Sequence, residues 1–263
     1  MISVIIPMFN SEKTIIGCVE SVLKQTRMDL IDEIIIIDDG STDRSASFVE
    51  KKYGDDSRIR LIQKENGGVS SARNAGIKAS KSEWIALLDS DDIWLPKKIE
   101  KQWEMIKQYK KIRFIGCNRN QENVHWGRRI DDNLYVLDLK HILIKNWPHT
   151  STALIKCDVF RKVGLFNESM RYGEDGDMWN RIVRNYPLFY IPISYEIAGG
   201  NKAQFGESGL SANLKGMYDG NIRNIKALRK HGDISAAFYV ILRIYNDIKY
   251  IRRIILTRLI IKG

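Results

Sequence analysis

The sequence predicts an α/β fold: a Rossmann-like, mixed but mostly parallel sheet flanked by helices, with a helical, basic and amphipathic C-terminal segment. Two observations predict the sheet. Short apolar runs at residues 4–6, 34–37, 59–62, 84–88 and 114–117 punctuate the first 118 residues, as strands buried on both faces do. Helix-period stretches lie between them, and strand–helix alternation implies right-handed crossovers between parallel strands. The third observation is the chain from Ser235 onward, which reads as helical, apolar and basic.

Each element has its own signal. Asn10 and Ser11 are capping types ahead of Ile15, Val19 and Val22, which predicts a first helix. A second is expected from Ser41, with Thr42 or Asp43 as its cap. Ala72, Ala75, Gly76 and Ala79 recur at helical spacing, and so small a face predicts a helix lying very close to the sheet. A further helix is expected near Pro96. The pattern loosens over 119–147, where 128–133 read as loop or hairpin; 152–156 read as a strand, 173–185 as a helix and 198–212 as a mobile loop. The division expected is a nucleotide-sugar-binding half at 1–118, an acceptor and catalytic half at 119–215, and a helical segment at 216–263.

Composition narrows the class. With 263 residues, 44% of them apolar, the chain can build a substantial core. A formal charge of +10 favours an anionic partner. Cys18, Cys117 and Cys157 form no Cys-x-x-Cys pair and read as reduced, buried thiols of a cytoplasmic protein. No signal peptide or transmembrane helix is expected.

Ligands of such sheets lie beyond the carboxyl ends of the strands, and the polar residues there carry the functional signal. Asp89-Ser90-Asp91-Asp92 follows a buried strand. Three carboxylates so close repel unless a cation or protons intervene, and oxygen ligands select Mg²⁺ or Mn²⁺. Alone, the run would equally fit a solvated acidic turn. Asp38-Asp39-Gly40-Ser41-Thr42-Asp43 also follows a strand; its first two acids come too early to cap the next helix. Gly67-Gly68 precede a helix start holding Ser70, Ser71 and Arg73, a setting that suits phosphate. No Gly-Lys-Ser/Thr follows, so it is not a P-loop. Glu174, Asp175 and Asp177 crowd another helix start, where acids are also common for structural reasons.

Taken in order, these motifs resemble glycosyltransferase family 2 and its GT-A fold over about residues 1–195. Val4-Ile5-Ile6-Pro7-Met8-Phe9-Asn10 is similar to the family's first strand and loop, Asp89-Ser90-Asp91 to its DxD motif, and Glu174-Asp175 to its ED motif. The resemblance implies roles. Asp39 would bind the nucleobase, with Pro7 and Phe9 lining the pocket and Glu12 close by. Arg73 and Ser90 would lie near the nucleotide sugar, Asp89 would face ribose and metal, and Asp91 would ligate Mn²⁺ or Mg²⁺. Asp175 would deprotonate the acceptor. It further implies inverting transfer from a nucleoside-diphosphate sugar, usually a UDP-sugar. The processive Gln-x-x-Arg-Trp motif is absent: Gln204 is followed by Phe205-Gly206. Single-sugar transfer is therefore expected.

The remaining features are less specific. Residues 206–213 read either as a lid over the diphosphate or as a connector. His125, His141, His149 and His231 show no metal-ligand spacing; His149 is the one placed to reach the acceptor side. The basic C-terminal helix suits an anionic membrane surface or a packed helix with a solvated face. By analogy, a polyprenyl-diphosphate-linked saccharide acceptor in bacterial O-antigen-type assembly would explain membrane contact at the inner face of the cytoplasmic membrane. Two other classes compete. A nucleotidyltransferase would release pyrophosphate and leave the ED motif without a task. A non-enzymatic binder of nucleic acid or membrane has no need of acids after strands, so no nucleic-acid partner is expected.

Overall fold

The first apolar run forms strand β1 (Ile2–Met8), buried along its whole length. Its even residues face one core, with Ile2, Val4, Ile6 and Met8, while Ile5 faces the other, as a two-sided strand requires. The computed structural model describes residues 1–122, 124–145, 148–199 and 212–262, with side chains described up to 257.

After β1 come α1 (Ile15–Leu23), β2 (Ile31–Asp38), α2 (Ser45–Tyr53), β3 (Ile59–Gln63), α3 (Val69–Ala79) and β4 (Trp84–Leu87). A two-residue strand β5 (Ile93–Trp94) leads into α4 (Lys98–Gln108) and β6 (Phe114–Asn118). The loosely patterned stretch is indeed a hairpin, β7 (Arg128–Asp131) and β8 (Leu134–Leu137), followed by α5 (Leu139–Ile144). Then follow β9 (Leu154–Lys156), α6 (Cys157–Val163), α7 (Glu174–Val183), β10 (Leu188–Ser194), β11 (Glu196–Ile197), α8 (Leu214–Lys230) and α9 (Ala236–Lys262).

Nine strands form one sheet in the order β3-β2-β1-β4-β9-β6-β10-β8-β7. It spans both the 1–118 and the 119–215 portions of the chain. β9 and β8 run against the rest, so the sheet is mixed but mostly parallel. β5 and β11 pair separately. The strand order reverses beside β1, with β2 on one side and β4 on the other. Such a switch point opens a crevice at the carboxyl ends, where Phe9, Asp39 and the Asp89–Asp92 turn all emerge.

Helix starts differ from expectation in one place. α2 begins at Ser45, not Ser41. The Ser41 amide donates to Asp38 Oδ1 and the Thr42 amide to Asn10 Oδ1, both at 2.9 Å. These bonds hold the chain in a turn, and Asp43 Oδ1 then accepts from the Ser45 amide at 2.9 Å. The small face of α3 behaves as predicted. A Cβ on Gly76 would lie 2.4 Å from Ile5 Cγ2, so glycine permits that close approach. α8 and α9 pair through Ile225, Leu228, Ile234 and Leu242. Tyr218 of α8 donates to Asp247 of α9 at 2.6 Å.

Candidate active site

The acidic turn after β4 is pinned residue by residue. Its backbone closes from the Asp92 amide to the Asp89 carbonyl at 3.0 Å. Ser90 Oγ lies 2.7 Å from Ser11 Oγ of the loop after β1. Asp89 and Asp91 are half-buried on this turn, and Asp89 Oδ1 accepts from Arg73 Nη2 at 2.7 Å. Asp92 turns inward and is buried. Its carboxylate accepts from Ser151 Oγ at 2.5 Å and from the Gly199 amide at 2.7 Å. Ser151 Oγ also accepts from the Asp89 amide at 2.9 Å. Cys18 lies beneath, its thiol raised by burial and by Asp92, Asp89 and Asp91. Cys18 and Cys117 are free and buried, and Cys157 is free and partly buried.

Arg73 joins this turn to the start of α7. It is buried, and its Nη1 donates to Glu174 Oε1 at 3.2 Å. Burial alone would lower its pKa, but Asp89 and Glu174 raise it, so the guanidinium stays charged. Burial and Asp175 push Glu174 up against the pull of Arg73. Asp175 is half-buried, with Oδ1 accepting from the Gly176 amide at 2.6 Å. Asp177 is bound by Arg181 at 2.8 and 2.9 Å. The helix start thus brings Glu174 and Asp175 beside the acidic turn and sends Asp177 elsewhere.

On the other side of β1, Asp39 is 3% exposed and already well supplied with donors. The Gly67 amide reaches it at 3.0 Å, the Gly68 amide at 2.7 Å and Lys64 Nζ at 2.6 Å. The glycine pair expected to face phosphate therefore gives its amides to this carboxylate. A carboxylate offers about four acceptor positions, and these three donors fill all but one. Pro7 is buried within β1, whereas Phe9 is half exposed just beyond it. Glu12 sits at the rim, its Oε2 3.3 Å from Arg44 Nε.

A group invisible to spacing arguments lies behind the turn. Asp92, His149 and Glu196 offer ligand atoms all within 4.8 Å of one another, a potential metal site. His149 Nδ1 is 2.6 Å from Glu196 Oε1 and 3.7 Å from Asp92 Oδ2. Burial pulls His149 down, but Glu196 and Asp92 more than reverse this and raise it to about 9. Both oxygens of Asp92 and Nδ1 of His149 also have protein partners, though each carboxylate oxygen keeps a further acceptor position. Among the described residues, Glu196 Oε2 is a buried oxygen without a partner, which an ion or a water would satisfy. Asp89 and Asp91 stand half-exposed at the crevice with oxygens of the type that Mn²⁺ or Mg²⁺ accepts, and Asp89 Oδ1 is also held by Arg73. Of the four histidines, His149 thus joins the site. The sequence singled out His149 for the acceptor side but not its grouping with Asp92 and Glu196, because these lie 57 and 47 residues away. Most of the 206–213 loop falls outside the described residues.

The sequence pattern described as glycosyl transferase family 2 matches residues 3–164. The chain belongs to this family. A glycosyltransferase of Bacillus subtilis, EpsJ, is 40% identical over 193 residues, covering 66% of this chain and 54% of that protein. A glycosyltransferase of Rickettsia typhi, RT0329, is 32% identical over 204 residues, covering 72% and 61%. The chain thus spans about three fifths of that relative's length. The chondroitin synthase of Pasteurella multocida is 39% identical over 196 residues, or 69% of this chain and 19% of the synthase. Among solved structures, S. aureus TarS 1-349 in complex with UDP-GlcNAc superposes with a TM-score of 0.69 at 21% identity, covering 92% of this chain and 70% of that one. The mannosyltransferase PcManGT of Pyrobaculum calidifontis, in complex with GDP-Man and Mn²⁺, gives 0.66 at 17%, covering 92% and 67%. At such identities the structural likeness establishes the fold alone, GT-A, and the family match covers residues 3–164.

Proposed function

We propose that this glycosyltransferase moves one sugar from a nucleoside-diphosphate sugar, a UDP-sugar by preference, to a hydroxyl of a glycan acceptor, with inversion. The observation that carries this reading is Arg73, whose two Nη atoms reach Asp89 and Glu174. One buried cation sets the donor-side acids and the helix start of Asp175 around a single point. Residues 1–118 supply the donor half and 119–215 the acceptor half.

Asp39, above the Gly67-Gly68 turn, accepts the base N–H, with Pro7, Phe9 and Glu12 around it. Asp89 and Ser90 hold the sugar-nucleotide edge, and Arg73 holds Asp89. Asp91 and Asp89 would hold Mn²⁺ or Mg²⁺. When bound, that ion neutralises diphosphate charge as the bond to the anomeric carbon breaks. Asp175 takes the proton of the acceptor hydroxyl. The pairing of Glu174 with Arg73 and of Asp177 with Arg181 weighs against either of them as the base.

The acceptor is proposed to be lipid-linked, in bacterial surface-polysaccharide assembly of the O-antigen type, at the inner face of the cytoplasmic membrane. Support comes from α9. Ile241, Ile244, Ile248, Ile251 and Ile255 are each more than half exposed along one side, and the exposed Arg252 lies beside them. No helix among the described residues is long and apolar enough to cross a membrane. An apolar face flanked by cations suits an anionic bilayer surface.

The test is product analysis. With UDP-sugars, acceptor glycan and Mn²⁺, free UDP should appear in proportion to extended glycan, and Asp91→Ala should abolish both. Release of pyrophosphate, or full activity in excess EDTA, contradicts the proposal.

A further inference from the structure

We infer that α8 positions the general base, and that Asn224 is the positioning residue. The inference rests on Asp175 as the base and concerns a helix outside the residues that match the family pattern. The backbone just before Glu174 makes a turn at Gly173, whose φ of +73° favours glycine. Its carbonyl accepts from the Asp177 amide at 3.0 Å, the first bond of α7. The same carbonyl accepts from Asn224 Nδ2 of α8 at 2.8 Å. Asn224 is buried.

α8 is shaped to come this close. A Cβ on Gly220 would stand 2.4 Å from the Tyr172 carbonyl oxygen, and one on Gly216 would stand 2.6 Å from the Tyr172 ring. Gly216, Gly220 and Asn224 recur every four residues, so one side of α8 bears on residues 172–173. From the sheet side, Arg73 fixes Glu174. Asp175 therefore sits on a turn gripped from both flanks: by the donor-side cation through Glu174, and by α8 through Gly173. Proton transfer and displacement tolerate little misplacement, and an error near 1 Å can cost about a hundredfold. Donor binding uses the loops after β1, β2 and β4, which α8 does not touch through this contact.

The experiment is Asn224→Ala, assayed for kcat, donor KM and UDP affinity by calorimetry. A fall in kcat of about ten- to a hundredfold is expected, with donor KM and UDP affinity within about twofold of wild type. Gly220→Ala, which forces α8 away from the turn, should show the same split. If the alanine variant unfolds, Asn224→Asp is read instead, since it keeps the shape but replaces the donor with an acceptor. Unchanged kcat in a folded Asn224 variant overturns the inference. So does a parallel loss of kcat and UDP affinity, which marks general loosening. Failure of the base assignment itself is distinguishable, because then Asp175→Asn would also turn over normally.

Discussion

Arg73 donates from Nη2 to the Asp89 carboxylate over 2.7 Å, which ties the helix after β3 to the acidic turn after β4. The remaining Nη reaches Glu174 at 3.2 Å, and among the described residues the buried Nε has no partner. The fork geometry matters here: a lysine ammonium is a point charge and cannot span both acids in this way.

Arg73→Met should leave the largely buried Glu174 and the half-buried Asp89 without their cation. Breaking one side of a buried pair costs about 3–5 kcal/mol, so a large fall in melting temperature is expected. Arg73→Lys should fold better yet lose most turnover, because it holds Asp89 or Glu174 but not both. Denaturation curves and steady-state rates check this. Wild-type turnover in the lysine variant would show that the bridge is dispensable.

His149 gives a pH signature. Its pKa is raised from the ordinary 6.5 to about 9 by Glu196 and Asp92, against burial and Arg119. A raised pKa stabilises the fold fully below pH 6.5, and that stability is lost as pH climbs through about 9. At about 1.4 kcal/mol per pH unit, the whole effect is at most about 3 kcal/mol. Lys98, pulled down to about 8 by burial, gives the opposite slope above pH 8. Asp92, raised to about 8 by burial against the pull of His149, and Glu174, raised to about 7 by burial and Asp175, slope the same way within pH 6.5 to 8, so the His149 contribution is read as the difference between wild type and His149→Gln. Urea midpoints should fall more steeply across this window in wild type than in His149→Gln; equal slopes in the two would contradict the assignment.

Much of this was legible in the sequence, and the failures have a common cause. Residues 34–37 announced a buried strand because four isoleucines in a row suit little else, and the small face of α3 announced its close approach to Ile5. Local backbone competition was not legible. Asn10 and Asp38 capture the Thr42 and Ser41 amides and delay α2 by four residues. Nor could spacing reveal that β9 runs antiparallel between β4 and β6, and hence that Ser151, just before it, would stand under the acidic turn. Nor could spacing reveal the bridge that Arg73 makes. The structure places it between two acids, a role that depends on Glu174, 101 residues away.

The α9 face yields a membrane prediction, and its packing dictates how to test it. Truncation from residue 235 would strip Leu242 and the Asp247 bond from α8, and so disturb more than lipid contact. Point changes on the exposed side are cleaner. Ile244→Ser with Ile248→Ser should abolish co-sedimentation with acidic liposomes at low salt while transfer to a soluble acceptor analogue continues. Equal co-sedimentation of the variant and wild type would contradict lipid docking through this face.

The most direct test of the central claim is turnover by Asp175→Asn. The substitution is nearly isosteric and leaves the Arg73–Glu174 and Asp177–Arg181 pairs intact. A base contributes typically about 10²–10⁴ in rate. The account predicts a loss of that order with Mn²⁺-dependent UDP affinity unchanged. Near-wild-type turnover, or a greater loss in Asp177→Asn with UDP binding intact, would contradict it.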